Sequence, residues 1–381
     1  MDVKIMSWNM AGAKLFEQLG PEPEPAAGRY IAAFRKVWLQ RILPWLSEGE
    51  DDNRPELILL QECIGLQDHS DRPSSRWQGG AAILQEIFVG YECFFFPAVT
   101  SNSNPHPGKW NRYGIPSHIE IEQGYGVCIL KGERCRKLWV PWADSTEAPV
   151  DADRADTGFR TCFELIPVST ALYQGTRDTE PRLLIMGRLK LEQNGESRYL
   201  NYLNVHLNTL SGEREGDSQI DQRASGSRLR QVELILDDVI AAYQQATRYR
   251  VLEEEGQRDL WVIGGDFNAV PESAEIARIR ASGFVDATAD KRIEDENGDR
   301  HLNQQWGSKW SLGDKQRPAL VLDYIFCGVS PSVDSAEVNK VESNSRVETL
   351  TMQGSRRPFS PHFDDAEFAT DHALLFAKIS L

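Results

Sequence analysis

Six cysteines, Cys63, Cys93, Cys128, Cys135, Cys162 and Cys327, are scattered along 381 residues with no C-x-x-C pair. That spacing excludes a disulfide framework or a cysteine-built zinc site as the organising element, and most of the six read as small core residues. No apolar run approaches the length of a membrane span, and no amphipathic docking helix or lipid-anchor motif is evident. The first eight residues alternate like a strand instead of pairing a basic segment with an apolar one, so no secretory signal is expected. These absences lead to an expectation of a soluble, cytoplasmic protein without a membrane anchor. Positive charge is also short: Lys and Arg total 42 against 57 Asp and Glu, a formal charge of −15. An indiscriminate electrostatic grip on a polyanion is thereby excluded, and any nucleic acid would have to be held locally. Carboxylates converging on a site would instead have a use for a divalent cation, which cancels their repulsion toward a phosphate.

Linkers rich in Gly, Ser or Pro are missing, and so are internal repeats, which favours one domain over 1–381. What is present is a series of short apolar runs that read as buried strands: Val3–Ser7, Leu57–Leu60, Tyr91–Phe96, Gly126–Leu130, Phe159–Ile166, Leu183–Leu189, Tyr199–Leu207, Leu260–Gly264, Leu320–Cys327 and Ala373–Ile379. Between them, Arg29–Leu46 (Ile31, Phe34, Trp38, Ile42 and Trp45 on one side) and Arg223–Tyr243 (Leu229, Val232, Ile235, Leu236, Val239) have helical periodicity. Adjacent strands mixed with strands separated by helices predict an α/β fold, a layered sandwich of mixed β-sheets flanked by helices, in preference to a strictly alternating barrel. Loop insertions are expected near 101–123, 290–314 and 330–368.

Several apolar strands end in a polar group: Ser7-Trp8-Asn9, Leu59-Leu60-Gln61-Glu62, Asn204-Val205-His206-Leu207-Asn208 and Val262-Ile263-Gly264-Gly265-Asp266-Phe267-Asn268. Two more carboxylates edge apolar runs near the C-terminus, in Leu322-Asp323-Tyr324-Ile325-Phe326 and Ala369-Thr370-Asp371-His372-Ala373. Strand ends are where a layered α/β fold presents side chains to a ligand. Singly, each residue has an ordinary structural use, as a turn asparagine, a packed histidine or a salt-bridge acid. The Gly-Gly-Asp-Phe-Asn segment stands apart, because two glycines after a buried strand allow close backbone approach to a ligand while Asp and Asn share one space.

In their order along the chain these motifs resemble the endonuclease/exonuclease/phosphatase superfamily, which includes abasic-site endonucleases, DNase I-like nucleases, tyrosyl-DNA phosphodiesterases, neutral sphingomyelinases and inositol-polyphosphate phosphatases. Arg228-Leu229-Arg230-Gln231 is similar to the Arg-x-x-Gln often found in the helix before the Gly-Asp motif. The resemblance runs from Asn9 to His372 and implies a DNase I-like four-layer sandwich with the site between the sheet edges. It implies Glu62 as principal ligand of Mg²⁺ or Mn²⁺, supported by Asn9, with Asp371 binding the ion directly or through water. Asp266 would orient or deprotonate the attacking water, and Asn268 would help fix that water and a phosphate oxygen. Asp323 and His372 would pair, the acid setting the imidazole tautomer and favouring its charged form. His206 would meet the phosphate from the other side, with Asn208 beside it. One departure is Ala11, where some nucleases of the family carry an acid two residues after the first Asn.

The shared hydrolytic core does not name a substrate. A loop carrying Lys109, Trp110 and Arg112 mixes cations with aromatics and would suit phosphates and stacked bases, so nucleic acid is the expected substrate and partner. Against it stand the −15 charge and two other readings: a phosphatase or phosphodiesterase of a small phosphorylated molecule or lipid headgroup, and a non-catalytic binding relative. The last would be expected to have lost one of Glu62, Asp266, Asn268, Asp323 or His372, and all are present. A dinucleotide-binding reading of Gly264-Gly265 fails because the spaced glycines and helix start that a pyrophosphate needs do not follow.

Overall fold

Along the first strand, β1 (Asp2–Asn9), Val3 and Ile5 point to one side and Met6 and Trp8 to the other, and all four are buried. A strand that is apolar on both faces must lie inside, between two layers. The computed structural model describes residues 2–10, 31–32, 34–46, 54–70, 79–100, 118–132, 135–138, 162–165, 182–193, 195–210, 212–241, 260–287, 293–294, 300–301, 321–329, 372 and 374–380.

After β1 come helix α1 (34–46), strand β2 (Leu57–Asp68), helix α2 (Gly80–Ile87) and strands β3 (Tyr91–Thr100), β4 (Ile119–Leu130), β5 (Cys135–Leu138), β6 (Cys162–Leu165), β7 (Arg182–Gln193) and β8 (Glu196–His206). Helix α3 (Ser218–Glu233) continues into a π-helical segment, Leu234–Ile240, as α1 does over Trp38–Ile42. Then follow β9 (Leu260–Asp266), helix α4 (Ala274–Ala281), β10 (Val285–Asp286), a short hairpin of β11 (Ile293–Glu294) and β12 (Arg300–His301), β13 (Asp323–Val329) and β14 (Leu375–Ser380).

Two mixed sheets result. The first has the order β14-β1-β2-β4-β3, the second β10-β13-β9-β8-β7-β5, with β6 also paired to β7. Among the described residues, only the β1–β2 and β8–β9 pairings of these two sheets are parallel. Three apolar layers hold them. Between the sheets, Val3, Ile5, Leu57, Leu59 and Val127 meet Ile185, Leu200, Tyr202, Val262 and Ile325. The outer face of the first sheet packs Met6, Trp8, Ile58 and Leu60 with Phe34, Trp38 and Ile42 of α1 and Ile83, Leu84 and Ile87 of α2. The outer face of the second packs Leu203, Val205, Trp261, Ile263 and Tyr324 with Val232, Ile235, Leu236 and Ile276. The architecture is therefore the expected helix-sheet-sheet-helix sandwich. Edge-on aromatic pairs Trp8–Phe34 (5.2 Å) and Trp38–Phe88 (4.9 Å) lock α1 in place, each adding roughly 0.5–1.5 kcal/mol to the area they bury.

Several elements differ from the sequence reading. Residues 119–123, read as loop, begin β4, with Ile119 and Ile121 buried and alternating with half-exposed Glu120 and Glu122. Strand β2 runs on through Glu62 to Asp68 because a bulge, not a turn, follows Leu60. Helices α2 and α4 are too short for their periodicity to show in sequence, although Ser273 caps α4. Four cysteines, Cys63, Cys93, Cys128 and Cys327, are free and buried as expected, and burial pushes the Cys63 and Cys128 thiols well up from their ordinary value. No helix among the described residues is long and apolar enough to cross a membrane.

The two glycines before Asp266 serve packing, which corrects the expectation that they make room for a ligand. A Cβ on Gly264 would sit 2.7 Å from Leu59 of the opposite sheet, and one on Gly265 would sit 1.9 Å from the Val205 carbonyl oxygen. Gly265 also has φ +151°, a conformation that side chains rarely adopt. Gly265→Ala is accordingly expected to destabilise the fold by at least about 3 kcal/mol, read as a drop of several degrees in thermal midpoint.

Candidate active site

Strand register assembles the polar residues. Across the second sheet, His206 at the end of β8 pairs with Asp266 at the end of β9, and Asp266 pairs with Asp323 at the start of β13, so the three lie in one row. In the first sheet Asn9 at the end of β1 pairs with Gln61 of β2, next to Glu62. His372 stands three residues ahead of β14, which is paired to β1 by Ser7 and Leu375. Both sheets thus deliver their polar termini to the same end of the sandwich.

The side chains meet there. Asn9 Nδ2 donates to Glu62 Oε1 (3.2 Å) and to Asp266 Oδ2 (3.0 Å), tying the first sheet to the second. His206 Nε2 lies 3.6 Å from Asp266 Oδ2 and 3.8 Å from Glu62 Oε1. His372 Nε2 lies 3.8 Å from Asp266 Oδ2 on the other side, while its Nδ1 faces Asp323 Oδ2 at 2.9 Å. The Asp323–His372 pair implied by the family resemblance is present. Asp323 accepts a proton-bearing Nδ1, so it fixes the ring with Nε2 turned toward Asp266. Asp266, Asp323, His206 and His372 are all buried, whereas the Glu62 side chain is 24% exposed and marks the open side.

Asp266 is held from behind. Its Oδ1 accepts the Asn268 main-chain N–H (2.8 Å), and Asn268 Nδ2 donates to the Leu207 carbonyl (3.0 Å). Asn268 has φ +49°, a left-handed conformation that Asn tolerates better than most residues. Its visible contacts orient Asp266. Glu62, at φ +51°, has no such aptitude, and a strained backbone of this kind costs of order 1–3 kcal/mol.

Sequence reasoning missed Arg182. It is buried at the start of β7, and its Nη1 donates to His206 Nδ1 (3.2 Å). An arginine offers only donors, so His206 Nδ1 must accept and the ring proton sits on Nε2, aimed at Glu62 and Asp266. A single Arg ahead of an apolar run carries no sequence signal of this. Arg228 and Gln231 form a supporting layer: Arg228 bridges Glu275 (2.7 Å) and Glu213 (2.8 Å), and Gln231 Oε1 accepts the Asn208 N–H (2.9 Å). The Asn208 amide donates to Ser227 Oγ (3.1 Å), so its described contacts tie the loop after His206 to α3. Arg214 adds a donor to the Asn268 carbonyl (3.1 Å). Asp371, Lys109, Trp110 and Arg112 lie outside the described residues.

The donor set fits a hard divalent cation. Glu62, His206 and Asp266 each bring one ligand atom within 4.8 Å of the others, and so do Asp266, Asp323 and His372. Three carboxylates converging in a partly buried space repel one another, and Mg²⁺ or Mn²⁺ prefers such oxygens.

Residues 150–372 match the family model described as the Endonuclease/Exonuclease/phosphatase family. That stretch carries His206, Asp266, Asn268, Asp323, Asp371 and His372. Among solved structures, the human Nocturnin catalytic domain with bound sulfate anion is 15% identical, with 100% of this chain and 93% of that one covered, at a TM-score of 0.46. TDP2 from D. rerio, complexed with a single-strand DNA product, is 14% identical over 100% and 99% of the two chains, at 0.47. A functionally unknown conserved protein from Enterococcus faecalis is 15% identical over 99% of each, at 0.45. No curated protein gives a significant sequence match. With the matched segment spanning more than half of the chain and ending on His372 of the assembled cluster, the protein belongs to the endonuclease/exonuclease/phosphatase family.

Proposed function

We propose that this hydrolase is a divalent-metal-dependent phosphodiesterase that cleaves DNA or RNA. The observation that carries the reading is the position of Asp266 Oδ2, which lies 3.6 Å from His206 Nε2 and 3.8 Å from His372 Nε2. A carboxylate between two imidazoles suits an orienter of water facing a tetrahedral phosphate. Glu62, supported by Asn9, would hold the cation, and Asp371 would be a further ligand by family resemblance. Bound there, Mg²⁺ or Mn²⁺ would neutralise phosphate oxygens and the charge that grows on them.

The protein's own groups supply the rest. Asp266, fixed at Oδ1 by Asn268, turns Oδ2 to the attacking water and takes its proton as the water oxygen bonds to phosphorus. The P–O ester bond opposite breaks meanwhile, and the leaving oxygen departs with its electron pair to take a proton from solvent. His206 donates from Nε2 to a non-bridging phosphate oxygen, its tautomer set by Arg182. His372, protonated on both nitrogens and anchored by Asp323, donates from Nε2 on the opposite side. Arg182 further offsets the acidity of the cluster. Lys109, Trp110 and Arg112 support a polynucleotide, since cations beside an aromatic suit phosphates and stacked bases. The −15 charge supports the second reading, a small phosphorylated molecule that needs no extended basic surface. A cytoplasmic setting accords with four free cysteines.

Plasmid, single-stranded DNA, RNA, a chromogenic phosphodiester and phosphorylated inositols, each with EDTA, Mg²⁺ or Mn²⁺, test the reading. Metal-dependent cleavage of a nucleic acid is expected, and turnover confined to inositol phosphates would replace nuclease by phosphatase. Asp266→Asn should lose roughly 10²–10⁴-fold in kcat while keeping its fold and substrate affinity; retained turnover would remove Asp266 from the chemistry. His372→Ala should lose about 10²–10³-fold in kcat, and parent-like kinetics would make its pairing with Asp323 purely structural. Arg182→Met should lower kcat by about 10–100-fold with little change in KM. In that variant the ¹⁵N signals of His206 should show a mixture of tautomers, whereas a retained single Nε2–H form would show that Arg182 does not set it.

A further inference from the structure

Glu62 reaches the site by an irregularity of its strand. The β2–β4 ladder pairs Leu60 with Gly126 and resumes with Cys63 against Gly124, so Gln61 and Glu62 together oppose the single residue Tyr125. This is a β-bulge, one extra residue on β2. In a regular strand consecutive side chains face opposite sides. Here both turn the same way: Gln61 Nε2 reaches Asn204 Oδ1 on the second sheet (2.7 Å), and Glu62 Oε1 receives Asn9 Nδ2 (3.2 Å) and faces His206. Without the bulge, the carboxylate would point with Leu60 into the outer core. Its left-handed φ of +51° persists only if the surroundings over-determine it.

The surroundings that do so converge on one residue. Asn204 is wholly buried on β8, two positions before His206. Its Nδ2 has two hydrogens and both are used, one on the Leu60 carbonyl (2.9 Å) and one on the Gly126 carbonyl (2.9 Å). Those carbonyls belong to the last regular pair before the bulge, one on each strand. Its Oδ1 accepts from Gln61, inside the bulge itself.

We infer that Asn204 is a positioning residue that clamps the β2 bulge from the opposite sheet and so holds the Glu62 carboxylate where it can bind the divalent cation. The inference rests on the reading of Glu62 as a metal ligand. It also explains why one strand carries both Asn204 and His206: a shift of β8 moves His206 and the Glu62 bulge together. Only a carboxamide satisfies all three contacts. Aspartate at 204 would set an acceptor against two carbonyls, and leucine would abolish every bond.

The test is Mn²⁺ binding by titration calorimetry without substrate, with circular dichroism and thermal melts to establish folding. Asn204→Asp and Asn204→Leu should weaken Mn²⁺ binding by roughly 10–100-fold, the usual effect of losing a group that orients a ligand. Gln61→Leu, which frees the Asn204 amide to turn, should give a smaller loss in the same direction. Tyr91→Phe removes a buried bond to the Pro55 carbonyl (3.0 Å) and should lower the melting temperature without changing Mn²⁺ affinity. Parent-like affinity in a folded Asn204 variant overturns the inference; if neither variant folds, parent-like affinity in Gln61→Leu does so. Glu62→Gln separates the two claims: parent-like affinity there removes Glu62 as a ligand, and this role of Asn204 with it.

Discussion

The row His206–Asp266–Asp323, set by strand register across β8, β9 and β13, is the constraint on which the site depends. Side chains that are 117 positions apart between His206 and Asp323 are brought side by side by backbone hydrogen bonds, not by loops. A slip of one residue in either pairing would turn a polar side chain of the row to the other face. The glycines of β9 protect that register. Gly264 lets Leu59 of the other sheet close down just beneath Asp266, and Gly265 lets the Val205 carbonyl of the neighbouring strand β8 approach within its own sheet.

Above that packed layer the chemistry is one of opposed charges. Asp266 and Asp323 are buried and Glu62 is partly exposed, and the buried cation of Arg182 touches His206. The two histidines have different anchors: a carboxylate behind His372 and a guanidinium behind His206. The first ring therefore carries its Nδ1 proton toward Asp323, while the second must keep Nδ1 bare and place its proton on Nε2. Such an arrangement gives two donors of unequal character on either side of one carboxylate.

Much of this was legible in the sequence, because strand-end polar residues break an apolar pattern at points that the fold turns into a surface. Asn9, Glu62, His206, Asp266, Asn268, Asp323 and His372 were each marked in that way, and the layered sandwich followed from the mixture of runs and helical stretches. Arg182 was not legible, since nothing in the local pattern tells a buried arginine from a solvated one at a strand start. Nor was the bulge: Gln61-Glu62 reads as the end of a strand, when β2 continues six residues beyond Glu62, to Asp68. The glycines were misread for the same reason, because their partners, Leu59 and Val205, are distant in sequence. Asn208, expected beside His206, bonds through its amide to Ser227 of α3, a contact that sequence alone does not show.

The central claim is that both sheets converge to hold a divalent cation against a phosphate at Glu62 and Asp266. It is tested most directly by anomalous diffraction from crystals soaked in Mn²⁺. The account predicts one anomalous peak at coordination distance from the Glu62 carboxylate, on the side facing Asp266 and His206. Manganese bound only elsewhere, with Glu62 bare at saturating concentration, would contradict it.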